Sequence, residues 1–455
     1  MKLLKLFMKK EEGEEKPASS GHYLTGKEAR AIAKANNKEM RRLEQAKRRK
    51  LPVSAYTTEM KDNGNILEIE DLHSYFFTDQ GVVKAVNGVS FEVPMNSTVG
   101  VVGESGCGKS VTSMSVMRLL QGPSGQIVSG SIRFKALDYK RDEKGKYIPV
   151  YQRDEKGEIV YEPVLDKSGK PRTDKYGNPV TCPVQVRDEN GIGVYEKEEH
   201  VFDIAKMPIN EMYRLRGRQM SMVFQEPMTS LNPVFTIGNQ LDEVTLIHVP
   251  DATREFAKKR SIEMLNLVGI AMPERVYASF PHELSGGMRQ RVMIAMALAC
   301  EPRLIIADEP TTALDVTIQA QILNLFNELK RKINGSILLI THDLGVIAEM
   351  ADYVVVMYAG KIIERGTASE IFHNPCHPYT QGLQKSKPTM NSTVDQLFNI
   401  PGNVPNPINM PDYCYFKERC SRCIAKCSGE YPKMTRISPT HYVACHLYDD
   451  REWRG

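Results

Sequence analysis

The run TVGVVGESGCGKS, Thr98–Ser110, decides the fold. Its first part, Thr98–Gly103, is short, β-branched and nearly all apolar, which suits a strand buried in a parallel sheet. Gly108 to Leu120 reads as a helix. Between them GESGCGKS, Gly103–Ser110, fits the spacing G-x-x-x-x-G-K-[ST] in the strand-to-helix setting that spacing needs. Such a turn curls backbone N–H groups around phosphate oxygens, and the helix N-terminus adds positive potential. Gly103, Glu104, Ser105, Gly106, Cys107 and Gly108 are therefore expected to line a phosphate site. Lys109 is expected to reach the β- and γ-phosphates, and Ser110 to ligate Mg²⁺.

Further along, LIIADEP (Leu304–Pro310) is an apolar strand ending in two carboxylates. Asp308 is placed to hold Mg²⁺, directly or through water. Glu309 is placed to polarise an attacking water. The two motifs together point to binding and hydrolysis of a nucleoside triphosphate such as ATP. The elements around them agree with an α/β fold. Met220–Gln225, Arg303–Asp308, Ser336–Thr341 and Tyr353–Tyr358 read as strands. Thr253–Val268, Gly286–Ala299 and Val316–Lys332 read as helices. That alternation implies a largely parallel sheet covered by helices.

Composition sets the outer bounds. Among 455 residues, 60 Lys plus Arg face 56 Asp plus Glu, a formal net charge of +4; 41% are hydrophobic and 25% charged. These values exclude a disordered or collagenous chain and demand neither a nucleic-acid nor a membrane partner. No run reaches the roughly 18 apolar residues that cross a bilayer. The opening MKLLKLFMKKEEGEEK has too short an apolar part for a signal peptide, so a chain kept in the cytosol is expected. Five of the nine cysteines lie between Cys414 and Cys445. In a reducing compartment such a grouping reads as a metal or cluster site rather than as disulfides.

Three segments stand apart from the α/β pattern. Residues 1–64 are polar and basic, as in RRLEQAKRRK (Arg41–Lys50), and read as a solvated, partly helical extension with weak attraction to anionic lipid or a partner. Order is expected to begin at Asn65, with Ile66–Leu72 alternating as a strand and Val82–Val93 forming one or two more. Residues 139–203 are turn-rich. RDEKG occurs at Arg141–Gly145 and Arg153–Gly157, and RDENG at Arg187–Gly191, so repeated hairpins of low hydrophobicity are expected. Long surface insertions of this kind cost little in closure entropy. Past Pro375 the chain reads as Pro- and Asn-rich coil and then the cysteine region.

LSGGMRQ, Leu284–Gln290, lies between the two phosphate motifs and resembles the signature of ATP-binding-cassette (ABC) ATPases. The resemblance implies a P-loop NTPase fold: a RecA-like parallel core, an antiparallel β subdomain and a helical signature subdomain at about 226–300, within an ATPase domain at 65–373. It implies that Ser285, Gly286 and Gly287 face the γ-phosphate held by an opposing cassette. It also implies roles for Gln225, which contacts Mg²⁺ and the attacking water, and for His342, which contacts the γ-phosphate. Ala313-Leu314-Asp315 matches the D-loop. Phe76, or Tyr75 beside it, matches the aromatic that stacks on adenine. Cys107 departs from the small residue often found there. A thiol is compatible with the loop because backbone amides make the contacts.

Three further stretches resemble the ATPases of peptide-type importers for oligopeptides, dipeptides and nickel. They are RGRQMSMVFQEPMTSLNP (Arg216–Pro233), NPCHPYTQGLQKSKP (Asn374–Pro388) and the terminal cysteine region. The resemblance implies an extension at 374–455 in which Cys414, Cys420, Cys427 and Cys445 hold a [4Fe–4S] cluster, with tetrahedral zinc as the alternative. Cys423 departs from that pattern. Two transmembrane permeases, a second and different ATPase chain, and an extracellular substrate-binding lipoprotein are the implied partners, at the cytoplasmic face of the membrane. The implied activity is ATP-driven uptake of oligopeptides or dipeptides. A nickel or other small-solute importer is one alternative reading, and a soluble ABC ATPase acting on DNA or ribosomes is another. The intervening segment lacks the heptads of the soluble class, so no nucleic-acid partner is expected.

Overall fold

The computed structural model describes residues 25–451 apart from 167, 227–229, 312–315, 387–398 and 409. Strands β1 (Asn65–Thr78) and β2 (Gly81–Pro94) form a hairpin closed where Thr78 meets Gly81. β3 (Thr98–Val102) is buried at all five positions, which explains why its sequence is apolar without alternation. It leads through the glycine turn into the helix Lys109–Val116. β4 (Gly125–Tyr139) pairs antiparallel with β1.

The turn-rich segment follows. It contains β5 (Tyr161–Pro163) paired with β6 (Thr181–Pro183), and the chain returns as β7 (Lys197–Asp203) on β4. Tyr139 is the partner of Lys197, so the part that loops out is 140–196, and 197–203 is a strand of the four-stranded sheet β2-β1-β4-β7. The recurring turns have one physical cause. Oδ1 of Asp142, Asp154, Asp166, Asp174 and Asp188 each accepts the N–H groups two and four residues on, at 2.8–3.0 Å. The glycine closing each turn has φ between +78° and +87°, where a side chain is strained.

β8 (Met220–Val223) leads into helices Ile237–His248, Arg254–Leu267, Pro273–Ala278 and Gly286–Leu298. β9 (Leu304–Asp308), helix Val316–Ile333, β10 (Ser336–Thr341), helix Leu344–Met350, β11 (Tyr353–Tyr358) and β12 (Lys361–Thr367) complete the core. β13 (Met434–Arg436) and β14 (Tyr442–Ala444) close the second sheet, ordered β13-β14-β12-β11-β3-β10-β9-β8. Its neighbours from β11 through β3, β10 and β9 to β8 run parallel, as the α/β alternation requires. One hydrophobic core lies between this sheet and the helices that follow β8. A second lies between the two sheets.

Two further expectations are corrected. Order does not wait for Asn65. Helix Gly26–Arg48 opens with a Thr25–Glu28 capping box and is docked on the first sheet, with Leu43 buried and Asn36 Nδ2 donating to Thr78 O at 2.7 Å. Tyr56 is 1% exposed against Phe202. A strand pattern starting at 65 hid this because the packing face of the helix is short and mostly polar. The chain past Pro375 is likewise not all coil. Helix Pro378–Lys385 is capped by His377, whose Nδ1 accepts the Tyr379 N–H at 3.0 Å. β14 extends the core sheet through Glu364–Val443 and Arg365–Tyr442 pairs, so the extension is built onto the cassette.

Candidate active site

The phosphate loop needs its glycines for room. A Cβ on Gly108, at φ +100°, would stand 2.2 Å from Ala85 O, and one on Gly103 would stand 2.3 Å from Met357 O. Lys109 is buried, and its Nζ donates to Gly103 O at 2.8 Å and Glu104 O at 3.1 Å. The ammonium thus lies across the mouth of the loop on carbonyls it can exchange for phosphate oxygens. Cys107 is fully buried, and burial pushes its thiol pKa up, so it behaves as a small apolar residue.

Two strand ends bring the second motif to this loop. Ser110 Oγ donates to Asp308 Oδ1 at 3.0 Å. Ser113, one turn on, donates to Asp308 Oδ2 at 3.2 Å. Asp308 is 3% exposed. Burial raises its carboxyl pKa, the two hydroxyls pull it back, and the Glu309 charge adds to the rise. A hydroxyl and a carboxylate at this spacing fit an oxygen-preferring cation such as Mg²⁺.

Glu309 follows directly with φ +48°, a conformation costly for a side chain and typical of functional sites. Its N–H donates to Ile340 O at 2.8 Å. Gln225 Nε2 donates to Glu309 Oε2 at 2.9 Å, and His342 Nδ1 lies 3.2 Å from Oε1. Three residues distant in sequence therefore meet on one carboxylate beside the cation position. That arrangement can orient and deprotonate a water.

Ser285 caps the helix Gly286–Leu298, its Oγ accepting the Met288 N–H at 3.3 Å. Gln290 Nε2 donates to Pro310 O at 2.7 Å and ties this helix to the end of the Asp308–Glu309 strand. Among the described residues a Cβ on Gly286 would meet nothing within 4 Å, and one on Gly287 would meet Ile318 at 3.6 Å, which leaves room for an incoming group. Asp315, with Ala313 and Leu314, lies outside the described residues.

The aromatics at the end of β1 fall on opposite faces. Ser74 Oγ lies 2.8 Å from Ser115 Oγ of the phosphate-loop helix, and Phe76, two residues on, shares that face against Gly125. Tyr75 points the other way, its hydroxyl donating to Asn87 Oδ1 at 3.0 Å. Phe76, and not Tyr75, is thus the ring on the face that meets the phosphate-loop helix.

Two family models match this chain. One described as "ABC transporter" covers residues 86–166 and 191–312, and one described as "Oligopeptide/dipeptide transporter, C-terminal region" covers 363–427. The oligopeptide transport ATP-binding protein AppD of Bacillus subtilis (strain 168) is 41% identical over 385 residues, which is 85% of this chain and 97% of that protein. The dipeptide transport ATP-binding protein DppD of the same organism is 41% identical over 386 residues, 85% of this chain and 96% of its own. OppD, an oligopeptide transport ATP-binding protein also from that organism, reaches 43% over 383 residues, 84% and 88%. The chain belongs to this family of ABC transporter ATP-binding proteins. The break in the first match falls inside the segment that loops out at 140–196.

The ABC cassette is an ATPase, and its C-terminal extension reaches the nucleotide loop. Tyr379 Oη accepts the Glu104 N–H at 2.8 Å, and Arg419 grips the Glu104 carboxylate at 2.7 and 3.0 Å. Neither residue was expected in the site. Ser113 was readable, since it lies three residues after Ser110 on the same helix face. Tyr379 stands in the quoted HPYT run, whose sequence marks the subfamily and gives no sign of a contact with Glu104. Arg419 carries no local signal, being 315 residues from its partner.

In the cysteine region the thiols are neighbours. Burial first, then Cys427, Cys445 and Cys420, pushes the Cys414 thiol up to about 12. Burial, then Cys420 and Cys427, pushes Cys445 up to about 11. Cys423 is exposed beside Cys427. Among the described residues, the group of three ligand atoms lying within 4.8 Å of one another is a different one, Glu364, Cys376 and His441, all buried. Glu364 there accepts the Cys376 and His377 N–H groups at 2.6 and 2.9 Å, and pairs with His441 Nε2 at 2.8 Å. No described helix is long and apolar enough to cross a membrane.

Proposed function

We propose that this subunit hydrolyses ATP to power uptake of oligopeptides or dipeptides across the cytoplasmic membrane. It would work from the cytoplasmic face on two permease subunits, paired with a second, related ATPase chain, with cargo delivered by a substrate-binding lipoprotein. The peptide-transport titles of the relatives and the match over 363–427 support this cargo class. The observation that carries the catalytic reading is the convergence of Gln225 and His342 on Glu309.

In this reading Gly103–Ser110 cradles the triphosphate and Ser110 with Asp308 holds Mg²⁺. Glu309 takes a proton from the attacking water, with Gln225 and His342 orienting it. Ser285, Gly286 and Gly287 offer a helix N-terminus to the γ-phosphate bound by the opposing cassette. Phe76 stacks on the base. The assembled transporter carrying Glu309→Gln should retain ATP and lose peptide uptake, with turnover lower by about 10²–10⁴-fold. Normal turnover in that variant would remove Glu309 from its role.

Cys414, Cys420, Cys427 and Cys445 are read as the ligands of a [4Fe–4S] cluster. Tetrahedral zinc is the alternative, since four thiolates on one loop-rich segment suit either group.

A further inference from the structure

We propose that Arg419, in the cysteine-rich extension, is a positioning residue of the nucleotide site, neutralising Glu104 and fixing the entrance of the phosphate loop so that the extension governs affinity for ATP. This rests on the reading of Gly103–Ser110 as the triphosphate cradle.

Glu104 is the second residue of that cradle, and a carboxylate there repels the phosphates it must admit. Arg419 answers it with a two-point pair, Nη1 to Oε2 at 2.7 Å and Nη2 to Oε1 at 3.0 Å. Paired guanidinium and carboxylate in this geometry are both strong and directional. The Arg419 side chain is 7% exposed and that of Glu104 27%, so the pair is partly shielded from solvent.

Arg419 has little freedom to leave. Its Nε donates to Pro401 O at 2.8 Å, Nη2 to Ile400 O at 3.2 Å and Nη1 to Tyr358 Oη at 3.3 Å. The Glu104 backbone is held as well, through its N–H to Tyr379 Oη. Both contacts on this one residue come from beyond Pro375. Arg419 also ends the short turn Lys417–Arg419 between Cys414 and Cys420, and the Cys420 N–H donates to Lys417 O at 3.3 Å. Whatever orders those thiols orders the arginine.

The test is equilibrium titration of MgATP onto the full-length chain as wild type, R419Q, E104Q and R419Q/E104Q. Loss of one partner from a shielded pair leaves the other charge uncompensated. R419Q should therefore weaken ATP binding by about tenfold or more, and E104Q in the same chain should recover most of that loss. A purely structural role for Arg419 would leave the double variant as weak as R419Q. Either that result or unchanged affinity in R419Q overturns the proposal. Failure of the wild type to bind ATP would instead overturn the nucleotide reading beneath it.

Discussion

Ser113 Oγ lies 3.2 Å from Asp308 Oδ2, the oxygen that Ser110 leaves free. Two hydroxyls thus work against the rise that burial imposes on one carboxyl, without cancelling it. Ser113→Ala removes one of them, so the Asp308 carboxyl rises further. Since the carboxylate form is the one that holds a cation, the acid limb of the ATPase pH profile should move to higher pH. The Mg²⁺ requirement should increase about tenfold or more, as for a hydrogen bond to a charged group. A profile and Mg²⁺ titration identical to wild type would refute this.

His441 supplies a pH signature of stability. Burial alone would lower its pKa, but hydrogen bonds with Cys376 and Glu364, and their charges, win and raise it to about 9. The free imidazole titrates near 6.5. A raised folded value means the contribution is fully present below about pH 6.5 and is lost as pH climbs through about 9. His377 beside it is pushed down to about 4 by burial, so its folded-state titration lies below that window. Thermal melts should show wild type losing its margin over His441→Gln between pH 6.5 and 9. Parallel curves would contradict the assignment.

The looped-out segment should be dispensable for turnover. Lys140 N donates to Glu196 O at 2.9 Å, so the ladder already brings the two chain ends together. Replacing 141–195 by Asn-Gly matches a two-residue hairpin. The change removes Tyr195–Asp251 and Lys259–Asn190, the second at 3.0 Å, which link the segment to the helices after β8. ATP turnover should stay within about twofold and the melting temperature should fall by about 2–4 °C. A tenfold loss of turnover would mean that the link belongs to the power cycle.

The cysteine loop should be redox-coloured. Prepared without oxygen, the full chain should be brown and contain iron and acid-labile sulfide, and Cys420→Ser should lose both. Removing the iron should also weaken MgATP binding, because Arg419 adjoins Cys420. A colourless anaerobic preparation with stoichiometric zinc would reject the cluster.

Local chemistry was legible wherever neighbouring residues carry it. Gly103–Ser110, Leu304–Pro310 and Leu284–Gln290 each state their geometry within eight residues or fewer, and β3, β9, β10 and β11 lie close to where their apolar runs put them. What stayed hidden depends on folding distant segments together. Nothing near Arg419 announces Glu104, and nothing in the polar face of Gly26–Arg48 announces Thr78. That Phe76 shares a face with Ser74 while Tyr75 turns to Asn87 needed the contacts of Ser74 and Tyr75, which a run of aromatics does not reveal. The boundary at 196 rather than 203 needed the rungs between β4 and β7, because KEEHVFD has too few apolar residues to read as a sheet strand.

The Asp-x-x-Gly turns between β4 and β7 have a practical consequence. Each closes on its own aspartate and needs nothing from the cassette, and both ends of the segment emerge at adjoining rungs. Turns such as Asp174–Gly177 are exposed and far along the chain from Ser110, Glu309 and Arg419. They offer a native attachment point where a fluorophore or an epitope can be carried on the working transporter, reporting on its assembly without touching the machinery that it labels.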